Sequence, residues 1–237
     1  MSWMHRVLGR DGTSQARIAK GGALHIEPRT PGINDAAFLG SYGLSVVTGT
    51  LAAALAANAV VFSARWADAT KIATITSMRW RFLPLTPFTA ATLTDHTSFD
   101  AFIGRTFSAS HTGGTALTLT GSSFKRRNSF SSTAFTDLRI ATTAALGGGT
   151  ITLDAHPFAQ SIRKGNRVNP AAATEEVVMP QADGFDGTYS ASDGDHPILL
   201  VTSEGIVIRN RTVWPAAGTG VLLVEFNWNE YATSTDY

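Results

Sequence analysis

The sequence predicts an all-β protein: an antiparallel β-sandwich, most simply a jelly roll, with an extended N-terminal arm. Two observations lead to this prediction. Residues 221–229 alternate between apolar and polar side chains, which is the pattern of a strand with one buried face. Short runs rich in β-branched and aromatic residues recur along the chain and are separated by turn-forming residues. No repeat of solenoid or propeller length is present, so a two-sheet sandwich is the simplest architecture.

Length and composition set the predicted domain organisation. The 237 residues are sufficient for one large β domain, and no linker divides the chain. Residues 23–237 are therefore predicted to form a single sandwich domain that follows an arm at residues 1–22. Charged residues make up only 16% of the chain. Such a weakly charged surface suits a protein that is packed against neighbours.

Net charge, cysteine content and hydropathy argue against several classes of protein. The formal net charge of +1 produces no field that would attract nucleic acid or acidic lipid, so neither is expected as a partner. The absence of cysteine rules out disulfides, a thiolate nucleophile and Cys-based zinc sites. We see neither a secretory signal nor an apolar run of transmembrane length, and expect synthesis in the cytoplasm without export.

Residues 1–22 lack any sustained period and contain four glycines, which is typical of an extended or disordered segment. Our interpretation is an arm that becomes ordered on a neighbouring subunit; a disordered terminus is the alternative. The apolar side chains that such an arm would bury are Trp3, Val7, Leu8 and Ile18.

Three strands are predicted next, at residues 44–50, 60–66 and 73–83. Residues 51–58 contain Ala and Leu, which favour helix, between valines, which favour strand, so we expect a short helical turn or an irregular connection there. Within the strand at residues 73–83, alternation places Arg79 and Arg81 on the same face.

The middle of the chain continues with short apolar segments. Residues 90–105 fit either a strand or a short helix, and residues 106–120 predict a pair of strands around Gly113 and Gly114. Polar composition predicts loops at residues 164–176 and 183–195. Further strands are predicted within residues 129–141, 150–154 and 158–162.

The C-terminal residues 196–230 have the clearest strand pattern. They predict an antiparallel meander of three strands, with Glu204 and Gly205 in the first turn. The predicted strands are residues 198–202, 206–214 and 221–229. The side chains of the last strand that are predicted to lie in the core are Leu222, Val224, Phe226 and Trp228.

Candidate catalytic and metal-binding groups are few. Asp183, Asp186, Asp193 and Asp195 are clustered carboxylates of the kind that suits calcium, but turn chemistry is the favoured interpretation because their spacing departs from the EF-hand pattern. The six histidines are scattered, and signatures of serine hydrolases, P-loops and dinucleotide sites are absent. We predict no enzyme, metal or cofactor, although the two carboxylates of a glycan hydrolase leave no sequence signature.

One basic run lies between two phenylalanines in the middle of the chain. It consists of Lys125, Arg126 and Arg127, which are able to contact phosphate. Because the net charge is so small, we assign the run to a solvated turn or to salt bridges across a subunit interface.

Aromatic residues provide a second kind of candidate surface. Arg79, Trp80 and Arg81 form a candidate interface group, since Arg and Trp are enriched where proteins meet. The tryptophans of the sandwich domain are expected in the core, and a stacked platform for sugars or bases is the alternative. These are Trp66, Trp80, Trp214 and Trp228.

Three stretches of the chain carry a family resemblance. They are residues 108–121 (SASHTGGTALTLTG), residues 137–146 (DLRIATTAAL) continuing through 150–157, and residues 204–210 (EGIVIRN) continuing through the strand that contains Trp228. These stretches resemble segments of virion-associated structural proteins of tailed bacteriophages. The resemblance extends over about residues 44–230.

The resemblance implies a non-enzymatic virion protein, most simply a capsid decoration or cement protein that stabilises the shell through subunit contacts. We expect a homotrimer whose partners are other virion proteins, the major capsid protein first, made in the bacterial cytoplasm and located in the virion. The expected contacts are the arm and the face of Arg79 and Arg81. The alternatives are a tail or head-fibre component that binds host glycan and a polysaccharide-degrading enzyme.

Overall fold

The computed structural model describes residues 7–8, 15–18, 24–25, 38–86, 96–119, 132–164, 183–188 and 198–233. The chain divides into two units, Met1–Asp35 and Ala36–Tyr237. In the first unit, three short strands pair antiparallel in the order β1 (Val7–Leu8), β2 (Gln15–Ile18) and β3 (Leu24–His25). Contact of this unit with a neighbouring subunit stays a prediction.

The second unit is an antiparallel β-sandwich, as predicted, and its described residues contain no helix. The prediction of jelly-roll winding stays a prediction. The strands are β4 (Phe38–Val47), β5 (Val60–Trp66), β6 (Lys71–Thr86), β7 (His96–Thr112), β8 (Thr115–Ala116), β9 (Asp137–Ile140), β10 (Gly147–Leu153), β11 (Ala159–Lys164), β12 (Asp183–Thr188), β13 (Ile198–Leu200), β14 (Glu204–Asn210) and β15 (Thr219–Ala232).

The strands form two sheets. In the first sheet the order is β12-β6-β15-β4, and β13 also pairs with β6. In the second, which we call the curled sheet, the order is β10-β7-β14-β5-β9-β8, and β11 also pairs with β7. The longest strands, β6, β7 and β15, therefore occupy interior positions, where each has partners on both edges.

The curl of the second sheet follows from its connectivity. β7 and β8 are joined by the tight turn at Gly113 and Gly114, yet β14, β5 and β9 lie between them in the sheet. The sheet must therefore bend round so that its two sides approach each other. Both glycines have positive φ angles, 72° and 55°, and a Cβ at Gly114 would collide with the carbonyl oxygen of Ile140. Glycine is thus required where the half-barrel turns back.

Aromatic side chains fill the space between the two sheets. Phe135, from the loop before β9, contacts Trp66 of the curled sheet and Trp228 of the first sheet at centroid distances of 5.0 and 5.4 Å. Phe82 of β6 meets Phe99 of β7 at 5.4 Å. Offset and edge-on ring pairs of this kind stabilise by about 0.5–1.5 kcal/mol each beyond their buried area. The predicted core residues of β15 are all buried, as expected: Leu222, Val224, Phe226 and Trp228.

The predicted C-terminal meander is wrong. Three strands form, but β13 and β15 both pair with β6 in the first sheet, whereas β14 pairs with β5 and β7 in the curled sheet. The first turn also comes earlier, with Ser203 at a φ of 66°, so that Glu204 and Gly205 begin β14. Alternation shows which face of a strand is buried, but it does not show which strand lies beside it.

Three other local predictions can be compared with the structure. Residues 51–58 form an irregular connection, with positive φ at Ala54 and Asn58, as one of the two alternatives proposed. The described part of residues 90–105 belongs to β7, so the helical alternative is wrong. The predicted loop at residues 183–195 is wrong over Asp183–Thr188, which form β12 along β6. The loop was predicted because Gly and Asp are common in turns. The segment forms a strand because it pairs with β6.

Candidate interaction face

The side chains of β6 alternate between the core and the surface. Arg79 and Arg81 are exposed on the outer face of the first sheet, whereas Trp80 between them is fully buried. The Trp80 indole N–H donates to Ser161 Oγ of β11 at 2.8 Å. Trp80 lies in the core, as expected of the tryptophans of the sandwich domain, and its inclusion in an exposed interface group with the two arginines is wrong, because neighbours in a strand point to opposite faces. The interface role of the arginines stays a prediction.

Apolar side chains continue this outer face beyond the arginines. Val47 of β4 and Leu83 and Leu85 of β6 are 50%, 49% and 44% exposed. Two half-buried side chains of β15 lie between these strands: Leu223 is in register with Val47, and Val221 is in register with Leu83. We call these five residues the apolar patch. Large exposed apolar side chains that adjoin one another commonly mark an interaction site.

The charges beside the apolar patch are unequal. Arg79 is paired with Glu225, directly across on β15, by a hydrogen bond from its Nε. Arg81 is in register with Leu223 at the border of the patch. Among the side chains that the structure describes, no carboxylate forms an ion pair with Arg81. Asp186 of β12 is in register with Arg79, so the cation at the border of the patch is that of Arg81, which a partner carboxylate would complement.

At the other end of the same face, polar side chains of β4, β6 and β15 form hydrogen bonds with one another. Asn227 Nδ2 donates to Ser77 Oγ at 2.6 Å, and Ser41 Oγ donates to Asn229 Oδ1 at 2.6 Å. These bonds join neighbouring strands, and polar pairs of this kind stabilise a sheet modestly. On β4, β6 and β15 the apolar patch is therefore confined to one end of the face, and Leu199 of β13, which is in register with Thr74 and 48% exposed, lies apart from it at the other end.

A buried polar pair lies on the concave side of the curled sheet. His111 Nδ1 of β7 is 2.9 Å from Ser63 Oγ of β5, and both residues are buried. Burial lowers the pKa of His111, and the nearby charge of Asp137 opposes this shift. The ring packs edge-on against Phe107 at 5.3 Å, and a Cβ at Gly149 would lie 2.9 Å from His111 Cδ2. The pair has the residue types of a hydrolase but is sealed from substrate.

Sequence reasoning treated His111 as one of several scattered histidines and did not select Ser63. No sequence signal connects them, because they lie on strands that are distant in the chain. Arg65 of β5 joins a third strand, β9, to this region. Its Nε donates to the carbonyl oxygen of Phe107 at 2.6 Å. Arg65 also forms an ion pair with Asp137 of β9 at 3.5 Å. The polar groups here hold the bent end of β7 against β5 and β9.

The other predicted site residues are distributed as follows. Val7 and Leu8 lie in β1 and Ile18 lies in β2. Asp183 and Asp186 lie in β12. The sites outside the described residues are Trp3, Lys125, Arg126, Arg127, Asp193 and Asp195. Within the described ranges, no three histidines or carboxylates gather in a way that would hold a metal ion.

Comparisons with protein-family models, curated proteins and solved structures gave no match to this chain. Among the described residues, no helix is long and apolar enough to cross a membrane. Function is therefore inferred from the residues and contacts of the chain itself.

Proposed function

We propose that this chain is a non-enzymatic structural protein of a bacteriophage virion, which decorates the capsid and attaches to the shell protein through the apolar patch. The observation that carries the proposal is the patch itself, which exposes Val47, Leu83 and Leu85 beside Arg81. The resemblance of residues 44–230 to virion-associated proteins supports the same assignment. The matching partner surface is apolar with a carboxylate at its border.

The size of the patch favours repeated contacts over one tight complex. Burying a large aliphatic side chain completely is worth about 1.5–3 kcal/mol. The three most exposed side chains are each about half buried already, so docking gains roughly 1 kcal/mol for each, before the cost of association. Such a contact is weak for a single molecule. It is sufficient where many copies meet a repeating surface at high local concentration, as on a shell.

The alternative functions have less support in the structure. A glycan-binding platform requires exposed tryptophans, but Trp80 and Trp214 are only 0% and 2% exposed. For polysaccharide hydrolysis, two free carboxylates are needed at the reacting bond. Asp100, Asp154 and Glu225 are each bound instead to an arginine. These contacts favour a structural role for these three carboxylates.

Replacement of Leu83 by Asp tests the proposal. The side chain is half exposed, so the fold is expected to tolerate the change, while a carboxylate in the patch must be desolvated on docking. Particles assembled with Leu83→Asp are expected to lose most of the bound protein, measured as copies per particle by cryo-imaging. The matched control is Leu199→Asp, which is 48% exposed on β13 outside the patch and is expected to leave occupancy unchanged.

Two results would contradict the proposal. Full occupancy of Leu83→Asp, with melting temperatures equal to the wild type, would show that the patch is not the contact. A few copies of wild-type protein per particle would exclude a decoration protein and favour a tail or fibre component.

A further inference from the structure

Arg209 occupies an unusual position on the concave side of the curled sheet. Its guanidinium carbon lies 4.1 Å from the centre of the Phe102 ring, so that the cation stacks on an aromatic face. Arg209 Nε is buried and has no hydrogen-bond acceptor. Burial lowers the pKa of Arg209, and the charge of Asp100 opposes the shift. An arginine with a buried donor that lacks an acceptor calls for a ligand or bound water.

The adjacent carboxylate is already engaged. Asp100 is in register with Arg209, but both of its oxygens accept hydrogen bonds from Arg211. Arg211 Nε donates to Oδ2 at 2.9 Å and Arg211 Nη2 donates to Oδ1 at 2.5 Å. This two-point pair directs one bond to each carboxylate oxygen from Arg211. Among the described contacts, Arg209 forms no ion pair with Asp100, although the two residues are in register.

A second polar group nearby also lacks a partner. Ser98, two residues before Asp100 on the same face of β7, is only 2% exposed, and its Oγ has no hydrogen-bond partner. Arg211 is held beside it, since the Arg211 backbone N–H donates to the Ser98 carbonyl oxygen at 3.0 Å. Ser98, with its unpartnered Oγ, and Arg209, with its unpartnered Nε, thus lie diagonally across the same two strands.

The location suits a small ligand. Phe102 and Val207 are buried on the concave side of the curled sheet, and Arg209 follows them near the end of β14. The site thus combines two buried apolar side chains with a half-buried arginine near the end of β14. Ligand sites in β proteins are commonly found at the mouths of barrels and combine apolar lining with a few placed polar groups.

We propose that Arg209 binds a carboxylate ligand at this site, with the Phe102 ring fixing the plane of the guanidinium and Ser98 supplying a further hydrogen bond. Carboxylate is the class that fits, because the two arginines and Asp100 leave one net positive charge for a monoanion. A phosphate carries nearly two charges at neutral pH, so it would bring a second charge that this site does not neutralise into partly buried surroundings. The flat fork of arginine also matches a carboxylate in two-point contact.

This proposal goes beyond shell attachment and is independent of it, since the apolar patch lies on the other sheet. The ligand that carries the carboxylate is either an acidic sugar or an acidic peptide. The experiment is isothermal titration of the full chain with sodium glucuronate, with N-acetyl-aspartate amide and with inorganic phosphate, and glucose serves as the uncharged probe. Binding of either carboxylate, with phosphate weaker and glucose undetected, is the expected result. Preference for glucuronate identifies a sugar as the source, and preference for the aspartate identifies a peptide.

Variants test the assignment to Arg209. Arg209→Gln is expected to raise the dissociation constant about tenfold or more, because a charge-assisted two-point contact is lost. Arg209→Lys keeps the charge but not the fork and is expected to show a smaller loss. The control Arg105→Gln removes the same charge from an exposed pair with Asp154 and is expected to bind as the wild type does.

Several results would overturn the proposal. The first is the absence of carboxylate binding to the wild type, which would leave water as the only partner of Arg209. The second is an unchanged affinity in Arg209→Gln or Arg209→Lys with a native melting profile. The third is tighter binding of phosphate than of either carboxylate, which would refute the charge argument.

Discussion

Replacement of Glu230 by Ala would remove a carboxylate that lies completely inside the protein. Glu230 ends the inward face of β15 and is 0% exposed. Its Oε1 accepts hydrogen bonds from Thr133 Oγ1 at 2.5 Å, from the Ala134 backbone N–H at 3.0 Å and from Trp228 Nε1 at 3.0 Å. The carboxylate thus joins the loop before β9 to the end of the longest strand of the C-terminal region.

The expected cost follows from the donors that would lose their acceptor. The hydroxyl of Thr133 is able to rotate, but the Ala134 N–H and the Trp228 indole N–H are fixed in direction. Each buried donor without an acceptor costs about 1–3 kcal/mol, so Glu230→Ala is expected to lower the free energy of unfolding by about 4 kcal/mol. Domains are typically stable by about 5–15 kcal/mol, so this loss is large.

Urea denaturation followed by tryptophan fluorescence measures this change. With a slope of about 2 kcal/mol per molar urea, the midpoint is expected to fall by about 2 M. The matched control is Glu225→Ala on the same strand, where the carboxylate lies on the outer face and pairs with Arg79. Exposed pairs contribute about 0–1 kcal/mol, so the control is expected to shift little. Equal midpoints for the two variants would refute the assignment of Glu230 as a buried link.

Two further predictions concern the curled sheet. Gly114→Ala is expected to lower the free energy of unfolding by about 2 kcal/mol or more, because φ is 55° and a Cβ would meet the Ile140 carbonyl. The control is Gly147→Ala, because a Cβ at Gly147 would make only ordinary contacts. Equal stability of the two variants in urea would contradict this. Burial lowers the pKa of His111 in the folded chain below its ordinary value of 6.5. As pH falls below 6.5, the unfolded chain therefore takes up the proton first, and the wild type loses stability. Urea midpoints measured across this range should fall less steeply in His111→Gln; parallel curves would exclude a contribution from His111.

The sequence predicts the local form of the strands well. The prediction of a strand at residues 60–66 coincides with β5, Val60–Trp66. The inward positions of Leu222 and Trp228 were also predicted, because alternation of side chains is a local property that a sheet requires. Burial of Glu230 at the end of the same face was not predicted. A glutamate is placed inside only where donors from elsewhere in the chain surround it, and those donors are about 100 residues away in sequence.

The partners of the strands could not be predicted in the same way. β14 is as apolar as its neighbours in sequence, yet it lies in the opposite sheet. The same limit applies to the sites. No sequence pattern marks Arg209 and Asp100 as a site, because they become neighbours only through the register of β7 and β14. Trp80 is expected both in the core and in an interface group with the arginines, and the period of the strand places it in the core.

The positions of β14 and β15 determine when the protein is able to fold. β14 separates β7 from β5 in the curled sheet, and β15 separates β6 from β4 in the first sheet. Both strands follow Ser203 in the chain, so each sheet lacks a central strand until the segment that contains β14 and β15 has been synthesised. The pairings are also distant in sequence, which makes folding slow. Before that point β4, β5, β6 and β7 each present an unpaired edge, and such edges expose a folding intermediate to aggregation.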